Sequence, residues 1–458
     1  MEEYIDLFEK IIEQTIPKVD YVDIRAGMNN NTSILIKDGE VNEINTGMSL
    51  GARIRVLKNG AWGFAYTTDL SKLNEITDTA IQLSNSLTGD VKLSESEIIT
   101  DKVKVDVKIP PKDISIEEKK EIMKDANDAA SIDKINSTTV SYGDNEINEI
   151  FMNSDGSNIQ TISTRVRLVL NASATDGELL QFGFGSLGGV KGFEVVSDAD
   201  IESFAREIGE KAVRLLDAEA APSGMFPVIA DPQLTGVLMH EALGHAVEAD
   251  AILQNDSILK GKMGESIASD IVNITDDASR KDGFGYYPYD VEGVKTNPNQ
   301  LVKDGKLVSL LNSRETASKL GMKSSGNARS IIAEQPLVRM SNTFLEPGDY
   351  SFEELIEDIQ NGIYLKGSRG GQVDTGRGIF QFNAAEGFII ENGEISTPLR
   401  DVSLSGNTLE TLKNIDAIGN DFKLGTGFCG KNGQTVPVGD GGPHTRILNA
   451  IVGGMGWW

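Results

Sequence analysis

The stretch DPQLTGVLMHEALGHAVEAD, residues 231–250, reads as a helix start that runs straight into a candidate metal site. Asp231 is a good N-cap, and Pro232 occupies the first helical position, where a missing N–H does no harm. Leu234, Val237, Leu238 and Ala242 recur at helical spacing, which predicts one buried face. His240, Glu241 and His245 interrupt that face with the residue types of a zinc hydrolase. In the familiar HExxH motif the histidines are four apart and lie within ~40° of each other on a regular helix. Here they are five apart, which a regular helix splays by ~140°. Two ligands on one ion therefore require a π-bulge or a break, expected over residues 242–245, with Gly244 the residue most able to permit it. A histidine on a helix is commonly a packed or surface residue, but the chain has only three and two fall inside this motif.

A chain of 458 residues is long enough for two or three domains, each with its own core. The formal net charge of −26 argues against non-specific binding to nucleic acid or an anionic membrane. A single cysteine rules out an intrachain disulfide and suggests a reducing compartment. The N-terminus, MEEYIDLFEK, is acidic and amphipathic, unlike a signal peptide, and no apolar run approaches membrane-spanning length. A cytoplasmic protein with no nucleic-acid or membrane partner is expected.

N-terminal to the motif, Phe8, Ile11 and Ile12 mark a first helix closed by Pro17, and Leu73, Ile76, Ala80 and Leu83 a second. Between them, Asp38-Gly39 and Asn59-Gly60 are strong hairpin turns, and Trp62, Phe64 and Tyr66 share one strand face. Residues 84–112 are polar and read as a connector with at most one short strand. Ser115 and Glu118 predict a capping box for a third helix. A meander follows, turning near Asp155-Gly156 and Asp176-Gly177, then a helix around Phe204 to Leu215. Helices and hairpins without βαβ alternation predict an α+β fold. The expected N-terminal α+β domain of antiparallel hairpins with flanking helices spans 1–222, divisible near 84–112. The expected C-terminal domain, 223–458, is glycine-rich, mostly β, and carries the distorted helix.

Residues 425–441, GTGFCGKNGQTVPVGDG, hold the only cysteine. Gly425, Gly427 and Gly430 mimic a dinucleotide fingerprint, and Gly430-Lys431 nearly completes a P-loop. Both motifs must open a helix, which Gly433 and Pro437 oppose, and Asn432 stands where a P-loop needs Ser or Thr. Nucleotide binding is therefore not expected. Cys429 is better used as a third metal ligand, since two imidazoles and a thiolate leave a fourth position open for water. A small buried thiol is the plain alternative. His444 and Glu248 compete for the same ligand role, and Glu248 equally fits a residue that orients a histidine.

HEALGHAVEAD, FGYYPYDVEGV, NSRETASKLG, GGQVDTGRGIFQFNAAEGFIIENGEI and GFCGKNGQTVPVGDGGP together resemble the TldD branch of the TldD/PmbA family, across nearly the whole chain. The resemblance implies that His240, His245 and Cys429 hold Zn²⁺ and that Glu241 is the catalytic carboxylate. It also implies a two-subunit assembly, often with a paralogue lacking the metal motif. The terminal aromatics Trp457 and Trp458 are then expected at a subunit contact rather than in the core.

The expected activity is that of a zinc metallopeptidase acting on short or unfolded peptides, with Glu241 as general base on a zinc-bound water. Two alternatives stay open. One is a metal-dependent hydrolase of a non-peptide amide; the other is a non-catalytic subunit whose zinc is structural and closed by a fourth protein ligand.

Overall fold

The computed structural model describes residues 1–454, so Trp457 and Trp458 lie outside the described residues. The fold is mixed α+β. Its N-terminal part is built on seven strands: β1 (Tyr21–Lys37), β2 (Glu40–Lys58), β3 (Ala61–Thr67), β4 (Thr100–Lys104), β5 (Ile135–Asn153), β6 (Asn158–Asp176) and β7 (Leu179–Gly189). They form one sheet in the order β3-β2-β1-β5-β6-β4, with β7 also paired to β6. The turns follow the sequence: Asp38 and Gly39 have φ of 52° and 81°, Asn59 and Gly60 49° and 71°, as type I′ hairpins demand. All pairings are antiparallel except β4 on β6, a parallel strand supplied by the 84–112 connector.

One face of this sheet is covered by helices. Ile5–Thr15 and Leu73–Asn85 bury Phe8, Ile11, Leu73 and Ala80 against Ile24, Ile54 and Ile150. Ile116–Ala130, opened by the Ser115–Glu118 capping box, packs with Ile201–Arg214 over Val140, Leu168 and Leu170. Leu83, expected on the buried stripe, is 44% exposed, because the buried stripe runs through Leu73, Thr77, Ala80 and Ser84 and leaves Leu83 one position off it.

The opposite face is polar in sequence yet also buried. Asp23 and Arg25 on β1 lie opposite Arg55 and Arg53 on β2. Arg53 donates to the carbonyls of Val291 (2.9 Å) and Glu334 (3.1 Å) and to Ser330 Oγ (3.2 Å). Arg55 bridges Asp23 (2.6 Å) and Glu292 (3.1 Å). Trp62 donates its indole N–H to Glu315 (3.0 Å). An alternating strand pattern normally means one wet face; here that face docks the C-terminal part.

The C-terminal part has two main sheets, of ten and seven strands. The first centres on Gly224–Ala230, Thr445–Gly454 and Asn361–Lys366; the second contains Ile274–Asp276, Asn342–Leu345 and Gln434–Gly442. The motif helix lies between them. Its Leu234, Leu238 and Ala242 share one core with Val228, Ile363 and Leu365 of one sheet and Ile274, Leu345 and Val438 of the other. No helix among the described residues is long and apolar enough to cross a membrane.

Candidate metal centre

The motif helix starts at Pro232, capped by Asp231, whose side chain accepts from the Leu234 N–H at 2.8 Å. Regular α-geometry lasts only to Leu238. Met239–Gly244 is a π-helix, and His245–Val247 a single 3-10 turn before the chain bends at Glu248. With i→i+5 geometry, five residues make roughly one full turn. His240 and His245 therefore share a face, their ring centroids 5.2 Å apart and nearly perpendicular.

The distortion starts three residues before the expected 242–245, since both rings must sit within the widened turn. Gly244 has an ordinary right-handed φ of −55°, so backbone permissiveness is not what the position requires. It requires room: a Cβ there would lie 1.9 Å from Met340 Sδ.

The third side chain arrives from far along the chain. Residues 425–441 form no helix; Gly427–Lys431 pairs antiparallel with Gln434–Gly442 across an Asn432-Gly433 turn, with Cys429 opposite Val436. Cys429 Sγ is 3.5 Å from His245 Nε2. One donor atom each from His240, His245 and Cys429 all lie within 4.8 Å of one another. Zinc with bond lengths of about 2.3 Å to sulfur and about 2.05 Å to nitrogen would space those two atoms about 3.6 Å apart on a tetrahedral edge. The donor set fits zinc. His240 is buried, and its Nδ1 has no hydrogen-bond partner.

The cluster is electrostatically coupled. Burial pushes the Cys429 thiol up, but hydrogen bonds from both imidazoles overturn that and hold it at about 5. Burial opposes charge on His245, yet its bonds to Cys429 and Glu248 raise it to about 10. His240 is raised in the same way, mainly by Cys429 against its burial.

Glu241 stands beside the cluster with 31% of its side chain exposed, Oε2 3.8 Å from His245 Nε2. Glu248 is on the other side of the imidazole, its Oε2 3.2 Å from His245 Nδ1. There it orients the ring and is turned away from the donor atoms. His444 is engaged elsewhere, with Asp421 (2.8 Å) and the Tyr364 hydroxyl (3.0 Å). Neither belongs to a metal-sized group among the described residues.

Sequence reasoning missed the groups behind these. Lys431 Nζ donates to Glu248 Oε2 (2.9 Å), both oxygens of Asp250 (2.8 and 2.7 Å) and the Val338 carbonyl (3.0 Å). Burial would lift Glu248, but His245 and Lys431 hold it below the usual carboxylate range. Buried Arg339 donates to the carbonyls of Cys429 and Gln434, fixing the hairpin's backbone. Burial raises Asp440, a carboxylate in electrostatic reach of His240 and Glu241.

Known proteins share this arrangement of sequence. Residues 223–454 match the family description "PmbA/TldA metallopeptidase C-terminal domain", 109–216 its central domain and 22–84 its domain 1. The chain belongs to the PmbA/TldD metallopeptidase family. A "Metalloprotease" of Methanothermobacter thermautotrophicus is 58% identical over 454 residues, covering 99% of this chain and all of that one. The "Zinc metalloprotease TldD homolog" of Saccharolobus solfataricus is 33% identical, over 90% of this chain and 91% of its own. The crystal structure of TldE from Thermococcus kodakarensis shares the PmbA/TldD fold with a TM-score of 0.79 at 20% identity, over 97% of this chain and 99% of that one. The names of these PmbA/TldD relatives support a metallopeptidase-type function for the chain.

Proposed function

We propose that the protein is a zinc-dependent peptidase of short or unfolded peptides, with His240, His245 and Cys429 as metal ligands and Glu241 as general base. The observation that carries this reading is the meeting of three donors, two from a π-turn and one from a hairpin, with a half-exposed carboxylate at their edge. Zinc bound there supplies polarisation of the scissile carbonyl and acidification of a water.

The chain's own groups do the rest. Glu241 takes the proton of the attacking water and returns it to the leaving amine, a transfer that suits a carboxylate with solvent access beside the donors. Glu248 holds His245 Nδ1, so that Nε2 faces Cys429. Burial around His240 and Cys429 excludes bulk water from the rear of the site. The strand Gly371–Asp374 is an edge of the ten-stranded sheet and packs against the π-turn. Its free backbone groups suit an extended peptide adding as a further strand, which favours unstructured substrates.

A closed structural zinc site would need a fourth protein donor, and the positions of Glu248 and His444 argue against one. The test combines metal analysis with digestion of an unstructured peptide, alongside a panel of non-peptide amides. Glu241→Gln is expected to keep its zinc and lose hydrolysis by at least ~100-fold, the usual scale for a positioned proton carrier. Near-normal hydrolysis by zinc-loaded Glu241→Gln would remove the carboxylate from the mechanism.

A further inference from the structure

A cavity of about 390 Å³ lies between the polar face of the N-terminal sheet and the C-terminal part. Pockets that take small ligands begin near ~300 Å³. Thr435, Val436 and Pro437 line it, and Val436 is the strand partner of Cys429. The cavity and the metal centre therefore flank the same hairpin.

Its charge is unusual for a chain of net −26. Three arginines line it, and only Arg25 has a carboxylate partner, Glu149 at 2.7 Å. Arg165 donates to the carbonyls of Phe284 (3.5 Å) and Tyr286 (2.8 Å). Arg329 donates to those of Met340 and Pro437, both at 2.7 Å, and its guanidinium stacks on Tyr287. Among the described residues neither has a carboxylate within ion-pair distance. Asp290, the remaining acid of the lining, spends both oxygens on the backbone N–H groups of Glu292, Val294 and Ala328. Burial, and then Arg329, press Arg165 down to about 10. Arg329 is within electrostatic reach of Arg165, while Glu149 and Asp276 act on the two charges only from beyond ion-pair distance. A carboxylate entering here would meet two cations whose hydrogen bonds go to neutral carbonyls. A planar guanidinium fork matches a carboxylate, and the isoleucines and tyrosines of the same walls suit the apolar atoms attached to it.

We propose that this cavity recognises a carboxylate of the peptide substrate, held between Arg165 and Arg329. The peptide identity of the ligand rests on the peptidase reading; the carboxylate requirement rests on the cavity. The carboxylate is either the chain terminus or an Asp or Glu side chain.

The test is equilibrium binding of short peptides to zinc-loaded Glu241→Gln protein, where turnover does not interfere. A peptide without acidic side chains is compared as free acid and as C-terminal amide. The free acid is expected to bind at least ~10-fold more tightly, the scale of one charge-assisted hydrogen bond. Arg165→Met is expected to shrink that ratio, and Arg165→Glu to abolish or invert it, both with full zinc content as proof of folding. An amidated peptide with an added Asp that regains affinity assigns the site to side-chain carboxylates; one that does not assigns it to the terminus. Equal binding of acid and amide with no gain from the added Asp, no binding of any of the three peptides, or carboxylate effects unmoved by Arg165→Glu overturn the proposal. Failure of wild-type protein to cleave any peptide is a separate result, and sinks the peptidase reading instead.

Discussion

Replacing Lys431 by Met keeps an unbranched side chain of four heavy atoms and removes the ammonium. In the native protein that ammonium has four acceptors within 3.0 Å, three of them carboxylate oxygens. Without it, Glu248 keeps only His245 as a side-chain partner and Asp250 only the Ala251 N–H. Breaking a buried ion pair from one side costs about 3–5 kcal/mol. Lys431 and Asp250 retain 18% and 19% side-chain exposure, so solvent relieves part of this and about 3 kcal/mol is expected. The loss reaches the metal because Glu248 fixes the His245 ring, and removing a group bonded to a metal ligand typically weakens metal binding about 10–100-fold. Denaturant unfolding of the metal-free protein and chelator competition of the zinc form measure the two effects. Combining Lys431→Met with Glu248→Gln should cost less than the sum of the single changes by about 0.5–3 kcal/mol, because both act on one network. Unchanged zinc affinity in Lys431→Met, or strict additivity in the double variant, would refute the reasoning.

Three further outcomes follow from the same geometry. Gly244→Ala should lose zinc binding, since its Cβ would meet Met340 Sδ at 1.9 Å within the π-turn; zinc content is the readout, and Met340→Ala in the same chain should restore part of it. In the metal-free protein the Cys429 thiol sits at about 5 against an ordinary 9.0, so its stabilising contribution holds at higher pH and is lost as pH falls through about 5. His245, raised from 6.5 to about 10, contributes fully below 6.5 and loses its contribution as pH rises through about 10. Alkylation of Cys429 in the metal-free protein should then be nearly flat from about pH 6 to 8; a tenfold rise per pH unit would mark an ordinary thiol. Zinc uptake at pH 7 must strip a proton from the His245 imidazole, raised to about 10, so its heat should vary with the ionisation enthalpy of the buffer, and a buffer-independent heat would contradict a charged His245.

The π-turn was legible because five-residue spacing leaves few ways to put His240 and His245 on one face. Its start was not, since the distortion accommodates both rings rather than the glycine between them. The role of Gly244 depends on Met340, nearly a hundred positions away in sequence, and no local pattern carries it. Lys431 was visible as part of a near-P-loop, which drew attention from a simpler signal: on a strand it shares a face with Cys429 two residues earlier. The hairpins read correctly because Asp-Gly and Asn-Gly turns are local chemistry. The polar face with Asp23, Arg25, Arg53 and Arg55 looks like a solvent face in sequence. Only tertiary docking buries it, so neither the domain contact nor the arginine-lined cavity had a local signature.

The segment 328–340 connects these observations physically. Its Ser330 receives Arg25 and Arg53 from the N-terminal sheet. Its Arg329 and Arg339 hold the carbonyls of Pro437 and Cys429 on the two strands of the thiol-bearing hairpin. Gln434 of that hairpin donates back to the Gln335 carbonyl at 2.9 Å. The two histidines are carried by a helix packed between the C-terminal sheets, with Met340 of this segment against its π-turn. The thiol sits on a short hairpin whose far turn is exposed, and the segment ties that hairpin down. The N-terminal part supplies no donor to the metal cluster, yet through this segment it touches the hairpin that carries the third donor.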